Sequence, residues 1–199
     1  MFSAVGRYSN SGEHEMQRFS QRNDGMIQVK TASPQDAELI ADFSREAFYE
    51  TYAAQNTKTD MDKFLSEQFS KEQLMAEVGK PGNNFLLAYL DNELAGYVFM
   101  KDGSNADLLT TNNIEIARLY AHSSYIGKGV GKTLMQAAIA QAAKENKQKL
   151  WLGVWKHNQR ALQFYHSFGF EKFGEQNFIL GNDVQQDWLM QKRILNNEH

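Results

Sequence analysis

The chain has 199 residues, 42% of them hydrophobic and 23% charged, which is typical of a globular protein rather than a disordered one. Its net charge of −3 argues against a dedicated nucleic-acid-binding protein, because such proteins carry a marked basic excess. Cysteine is absent, which excludes disulfides, thiolate nucleophiles and cysteine-based metal sites and favours a reducing cytoplasm. No apolar run approaches the roughly 18 residues of a membrane span, so no membrane partner is expected.

Residues 1–25 are polar and aperiodic, without the apolar core of a signal peptide, and we interpret them as a disordered or tag-like extension. One domain is predicted over residues 26–199. It begins with an alternating strand at 26–31, and Ser33 and Pro34 then signal a helix start. Further elements follow: apolar residues at helical spacing up to residue 48, a helix at 59–69, a Ser70–Gln73 capping box, a hairpin of strands 85–90 and 94–101, and a polar loop at 102–113.

The second half alternates strands with helices. The pattern predicts helices at 132–146 and 158–168, the latter ended by Gly169. Strands are predicted at residues 114–121, 149–155, 173–180 and 187–195. Hairpins combined with strand–helix alternation indicate an α/β or α+β fold with a mixed sheet.

A glycine-rich turn between a predicted strand and a predicted helix is the sharpest local feature. Gly127, Gly129 and Gly131 leave backbone N–H groups unshielded at a helix N-terminus, and Lys128 and Lys132 add positive charge. These groups predict a phosphate or pyrophosphate site. The alternative is a flexible glycine turn with solvated lysines.

The turn does not match the two common nucleotide-binding loops. A Walker A loop ending in Gly131-Lys132-Thr133 would need glycine at position 126, where this chain has Ile126. The Rossmann spacing Gly-x-Gly-x-x-Gly is also missing. We therefore do not expect hydrolysis of nucleoside triphosphates.

The turn resembles the acyl-CoA loop of the GNAT superfamily of N-acetyltransferases, Arg/Gln-x-x-Gly-x-Gly/Ala. Gly129 and Gly131 match its glycines, while Ile126 replaces its first residue. The strand at 115–121 and the segment Asn158-x-x-Ala161-x-x-Phe164-Tyr165 resemble two further motifs of the superfamily. Residues 48–52, 151–155 and 186–190 are similar to the bacterial spermidine/spermine (polyamine) N-acetyltransferases.

This resemblance implies a mixed, mostly antiparallel twisted sheet with helices on both faces and a splayed pair of central strands. It also implies acetyl-CoA as co-substrate, no metal, and a homodimer as one form of assembly. The residues expected to bind the cofactor are Leu119, Tyr120, Ala121, Ile126, Gly127, Lys128, Gly129, Val130, Gly131, Lys132, Asn158 and Tyr165.

Two residues are candidates for proton transfer. Tyr165 would donate a proton to the leaving thiolate, or it is a tyrosine that packs its ring in the core. Glu115 would act as a base through water, or it is a solvated or salt-bridged strand residue. Strand alternation predicts Glu115, Ala117 and Leu119 on one face, which puts Glu115 about 13 Å from Leu119.

The acceptor predicted from this chemistry is a primary amine, with a polyamine as one candidate, acetylated by direct transfer. Tyr49, Tyr52 and Trp155 would line its cleft and attract an ammonium through their rings, although most large aromatics belong to the core. Two alternatives remain open: a non-catalytic acyl-CoA-binding regulatory module, suggested by Ile126 and Ala117, and a protein or peptide N-acetyltransferase.

Overall fold

Seven strands form one sheet in a computed structural model that describes residues 25–103 and 112–195. In chain order they are β1 (Gln28–Thr31), β2 (Asn83–Leu90), β3 (Glu93–Asp102), β4 (Asn113–Ala121), β5 (Lys149–Trp155), β6 (Glu171–Leu180) and β7 (Asp183–Arg193). The helices are α1 (Ala37–Tyr52), α2 (Lys58–Glu67), α3 (Lys71–Met75), α4 (Val130–Lys144) and α5 (Gln159–Ser167). The predicted N-terminal extension and most of the polar loop after β3 lie outside the described residues.

The sheet has the order β1-β2-β3-β4-β5-β7-β6, and every neighbouring pair is antiparallel except β4 and β5. The parallel β4–β5 pairing is short, running only from Asn113 and Lys149 to Glu115 and Trp151. Beyond those residues the two strands separate, so a gap opens in the middle of the sheet. The mixed, mostly antiparallel sheet with a splayed central pair is therefore confirmed.

Local signals in the sequence explain several of these element ends. The capping box of Ser70 and Gln73 begins α3 as predicted. Asp91 and Asn92 adopt positive φ angles of 53° and 66° and form the two-residue turn between β2 and β3. Gly169, with φ of 79°, follows the end of α5, where a left-handed residue without a Cβ costs little.

Helices cover both faces of the sheet. Apolar residues of α4 and α5 pack against one face, in a core that includes Leu134, Met135 and Leu162. On the other face α1 contributes Ile40 and Phe43 to a second core, and α1, α2 and α3 together form a third. None of the helices in the described part of the chain is long and apolar enough to cross a bilayer.

The predicted alternation along β4 is wrong, because a β-bulge interrupts the strand. The register with β3 shifts between Phe99 and Met100, which pair with Arg118 and Ile116 and leave Ala117 extra. Leu119 therefore packs in the core under α4, whereas Ala117 packs in the core under α1. An extra residue in one strand reverses the sides of all residues after it, which local alternation could not reveal.

Two predicted element boundaries also shift. The strand predicted to begin at residue 187 begins at Asp183, so Asp187 lies inside β7 rather than at its start. The helix predicted to begin at residue 132 begins at Val130, directly after the turn. Residues 183–186 are mostly polar and residues 130–131 are one valine and one glycine, so neither stretch shows an apolar period, and pairing and packing extend the elements through them.

Candidate active site

The glycine-rich turn leads directly into α4. Gly129 precedes the helix with φ of 88° and supplies no capping side chain, and Gly127 has φ of 83°. The first amides of a helix have no acceptor within the helix. In the part of the chain that the structure describes, no backbone carbonyl accepts from the amides of Gly129, Gly131 or Lys132. These N–H groups remain available to an anion, as predicted for a phosphate-binding turn.

The charges around the turn reinforce this property. Lys128 holds its ammonium 5.0 Å from the ring centroid of Tyr125, and neither Lys128 nor Lys132 pairs with a carboxylate of residues 25–103 or 112–195. Ile126 is 46% exposed, so it is not held in the core. These two lysines, which lack a carboxylate partner among the described residues, and the positive end of a helix give the turn a positive electrostatic potential.

Gly96 in β3 brings the start of α4 close to β4, and sequence reasoning missed it. A Cβ at this position would lie 2.6 Å from the carbonyl oxygen of Tyr120 and 2.9 Å from Cγ1 of Val130. Only glycine therefore allows the first turn of α4 to pack over the end of β4. A glycine inside an apolar strand, which often marks such a close approach, was the available signal.

Tyr165 lies in α5 and packs against the core on the α4 side of the sheet. Its ring lies 5.5 Å from Phe164 and 5.9 Å from Phe170, on the α4 side of the sheet. Its electrostatic neighbours are Tyr52 and Tyr120, which pack on the α1 side. The hydroxyl of Tyr165 thus lies where the two faces communicate through the gap.

Burial controls the protonation of these phenols. Desolvation, followed by the charge of Tyr52, raises the pKa of Tyr165 far above its usual value of 10. Desolvation, followed by the nearby carboxylate of Asp187, raises the pKa of Tyr52 to about 12. Both groups are therefore proton donors at neutral pH, and in the described residues no side-chain hydrogen bond occupies the Tyr165 hydroxyl.

Asn158 lies at the start of α5, at the open end of β5. Its side-chain oxygen accepts a hydrogen bond from the amide of Ala161 at 3.1 Å, so the capping interaction expected of it is present. The amide group of the side chain has no protein partner among the described residues. A cap and a contact to a ligand are compatible for this residue.

Glu115 is the last residue of β4 that pairs with β5, and its partner there is Trp151. Its carboxylate lies 3.3 Å from the ammonium of Lys101, and its side chain is 20% exposed. The structure thus places Glu115 at the closed end of the gap, in an ion pair.

The aromatic residues predicted for the acceptor cleft do not all come together. Tyr52 is at the end of α1 beside the gap, and Trp155 is at the end of β5. Tyr49 is 47% exposed and its electrostatic neighbour is Lys58 at the start of α2. Sequence reasoning also gave no role to Asp187, which lies directly across from Trp155 in the sheet.

One potential metal-ligand group appears on the α1 side. Glu46, Glu50 and His122 each place a ligand atom within 4.8 Å of the others. The two carboxylates are exposed, and His122 already accepts a hydrogen bond from the amide of Ser124 at 3.2 Å. These contacts account for the group without an ion, and the expectation of no metal remains a prediction.

A family model described as the acetyltransferase (GNAT) family matches residues 45–170. The chain belongs to this family. The uncharacterised N-acetyltransferase in the pepI 3′ region of Lactobacillus delbrueckii subsp. lactis is 35% identical over 170 residues, which are 85% of this chain and 98% of that relative. The spermidine N(1)-acetyltransferase of Thermoplasma acidophilum is 29% identical over 149 residues, which are 73% of this chain and 88% of that relative.

Solved structures agree with the family assignment. The crystal structure of the PaiA N-acetyltransferase from Thermoplasma acidophilum in complex with coenzyme A has a TM-score of 0.67 and 26% identity. The match covers 84% of this chain and 99% of that structure. The protein is therefore an N-acetyltransferase of the GNAT family, which confirms the family and the enzyme class predicted from the motifs.

Proposed function

We propose that this GNAT enzyme transfers an acetyl group from acetyl-CoA directly to a primary amine. The observation that carries the proposal is the gap between β4 and β5, together with the glycine-rich turn that begins α4 and the buried phenol of Tyr165. The coenzyme A complex of the structurally similar PaiA protein supports a cofactor of this type.

The residues of the gap fit the chemical groups of this cofactor. The amides after Gly127, with Lys128 and Lys132, would hold the pyrophosphate. Past Glu115, the edge of β4 that faces β5 has no strand partner, so backbone groups of residues 119–121 would pair with an amide-containing arm. Bound acetyl-CoA supplies an activated thioester, and no acyl-enzyme is required of a chain without cysteine.

Tyr165 would provide the proton for the departing thiolate. Its phenol keeps its proton at neutral pH because burial disfavours the phenolate. Glu115 would accept the acceptor's proton through water, because its carboxylate lies at the closed end of the gap and is paired with Lys101 at 3.3 Å.

The acceptor is proposed to be a small amine, with a polyamine as the leading candidate. The similarity to a spermidine N(1)-acetyltransferase over 73% of the chain supports this choice. The acid excess of the chain is consistent with a cationic substrate.

Calorimetry with acetyl-CoA and an acetylation assay over a panel of amines, polyamines and peptides test the proposal. We expect acetyl-CoA to bind and small primary amines to be acetylated. No binding at millimolar acetyl-CoA would refute it, and binding without acetylation of any acceptor would favour a regulatory module instead.

The variant Tyr165→Phe tests the role of the phenol. It removes the donor while keeping the ring, so kcat should fall by about 10²-fold or more, as is typical for loss of a general acid. The affinity for acetyl-CoA, measured by calorimetry, should stay within a few fold. Unchanged values of both quantities would show that Tyr165 only packs in the core.

A further inference from the structure

Asp187 is a partly buried carboxylate that no side chain of residues 25–103 or 112–195 neutralises. Across residues 25–103 and 112–195, every other partly buried acid has a hydrogen-bond or ion-pair partner, as Glu77 has in Arg118 and Glu115 has in Lys101. The side chain of Asp187 has none in that part of the chain. Because leaving a carboxylate half-buried without a partner costs free energy, the arrangement suits a ligand that brings a positive charge.

A notch in the sheet lies beside this carboxylate. A Cβ at Gly153 would lie 3.5 Å from Oδ2 of Asp187 and 3.0 Å from Nε2 of Gln176. The φ angle of Gly153 is not in the left-handed region, so the backbone does not require glycine here. Gly153 is exposed, so this position is open to solvent, but the Gln176 amide already lies against it and borders the notch beside the Asp187 carboxylate.

The Gln176 amide forms one wall of the notch, and two aromatic residues lie near the Asp187 carboxylate. Trp155 is the direct cross-strand partner of Asp187, and such partners place their side chains next to each other on one face. Tyr52 is close enough for the Asp187 charge to raise its pKa. The bond from Gln185 Nε2 to Asn56 Oδ1, 2.7 Å long, ties β7 to the segment after α1. An anion between two aromatic rings is a favourable site for an ammonium group.

The notch is displaced from the reacting atoms. Along β7, Trp188 and Met190 pack in the same core as Tyr165, so Asp187, which precedes Trp188, points to the opposite face of the sheet. A carboxylate paired with the reacting nitrogen would also stabilise its protonated form, which cannot attack a thioester. The position of Asp187 therefore suits a second charge on the acceptor rather than the nitrogen that is acetylated.

We propose that Asp187, with Tyr52, Trp155 and the notch at Gly153, binds a second ammonium group of the acceptor and so selects diamines and polyamines over monoamines. This inference rests on the proposed function, since it assigns the specificity of the same site. Asp187 is a specificity-determining residue here, and Glu115 keeps the proposed role in proton transfer.

Kinetics with 1,4-diaminobutane and butylamine test the inference, because the two acceptors differ by one ammonium. For Asp187→Asn we expect the KM of the diamine to rise by about 10- to 100-fold, the range typical of a lost charge-assisted contact, with kcat changed less than threefold. The KM of butylamine should change less than twofold. The matched control is Asp183→Asn, which neutralises an exposed carboxylate on the same strand and should leave both substrates unaffected.

The variant Gly153→Ala keeps the carboxylate and fills the notch, so it too should reduce the preference for the diamine. An equal loss for both acceptors, a fall in kcat at constant KM, or an unchanged diamine KM would each overturn the inference. Calorimetry of 1,4-diaminobutane alone gives a readout independent of turnover. Diamine binding that disappears in Asp187→Asn supports the inference even if no acetylation occurs. The absence of acetylation would refute only the proposed function.

Discussion

Neutralising Asp187 should make the protein more stable at neutral pH. In the folded protein the ionised carboxylate is partly desolvated without a compensating partner among the described residues, and this lowers the free energy of unfolding. Burial raises the pKa of Asp187 from 3.8 to about 6. The folded chain then binds a proton more tightly than the unfolded chain does. Below about pH 4 both states are protonated and the carboxylate costs nothing, and the cost develops as the pH rises through about 6.

The size of the effect follows from the pKa shift. Two pKa units correspond to about 3 kcal/mol, since one unit is worth about 1.4 kcal/mol. Asp187 is only partly buried, and solvent screening lowers this figure to about 1–2 kcal/mol. The free energy of unfolding of Asp187→Asn should therefore exceed that of the parent protein by this amount at pH 7.5 and equal it at pH 4.

Urea unfolding of the parent protein, Asp187→Asn and Asp183→Asn at pH 4, 5.5 and 7.5 measures the effect. Asp183 is exposed and accepts a hydrogen bond from Gln185 Nε2 at 3.0 Å, so its substitution should not reproduce the pH dependence. A stability difference that is absent at pH 7.5, or the same at all three pH values, would refute the reasoning. Addition of 1,4-diaminobutane at pH 7.5 should stabilise the parent protein more than the variant.

Three further substitutions test the architecture around the site. In Gly96→Ala the new Cβ pushes the first turn of α4 away from β4, so the affinity for acetyl-CoA in calorimetry should fall about tenfold; unchanged affinity would contradict this role. Gly181→Ala combines a φ of 65° with a Cβ 2.5 Å from Cα of Asp60, and should lower the free energy of unfolding in urea by about 2 kcal/mol or more, whereas a smaller loss would show that α2 shifts freely. Glu115→Gln should lower kcat more than tenfold with unchanged acetyl-CoA affinity. An unchanged kcat would show that Glu115 serves only in the ion pair with Lys101 and takes no part in proton transfer.

The parts of the site that lie close together in the sequence were predictable. The turn from Gly127 to Gly131 and the cap at Asn158 each have a local physical cause, a positive φ angle or an orphan amide. Such causes act within a few residues, so spacing alone identified the family. The fold class followed, because the order of strands and helices allows few sheet arrangements.

Other features depend on pairing between distant segments. The bulge at Ala117 exists only because β4 must match β3, and it moved Leu119 to the opposite face from the one predicted. Gly96 became meaningful once α4 packed over it. Neither feature has a local sequence signal strong enough to be read in isolation.

The balance of charge shows the same division between sequence and tertiary structure. Composition established a slightly acidic chain without cysteine, and local spacing placed two lysines at an anion-binding turn. Which acids pair with a cation and which remain unpaired is decided only when the strands are assembled. Asp187 has no hydrogen-bond or ion-pair partner among the described residues, because β7 sets it beside Trp155 and Gly153, and α1 brings Tyr52 rather than a lysine or arginine to that position.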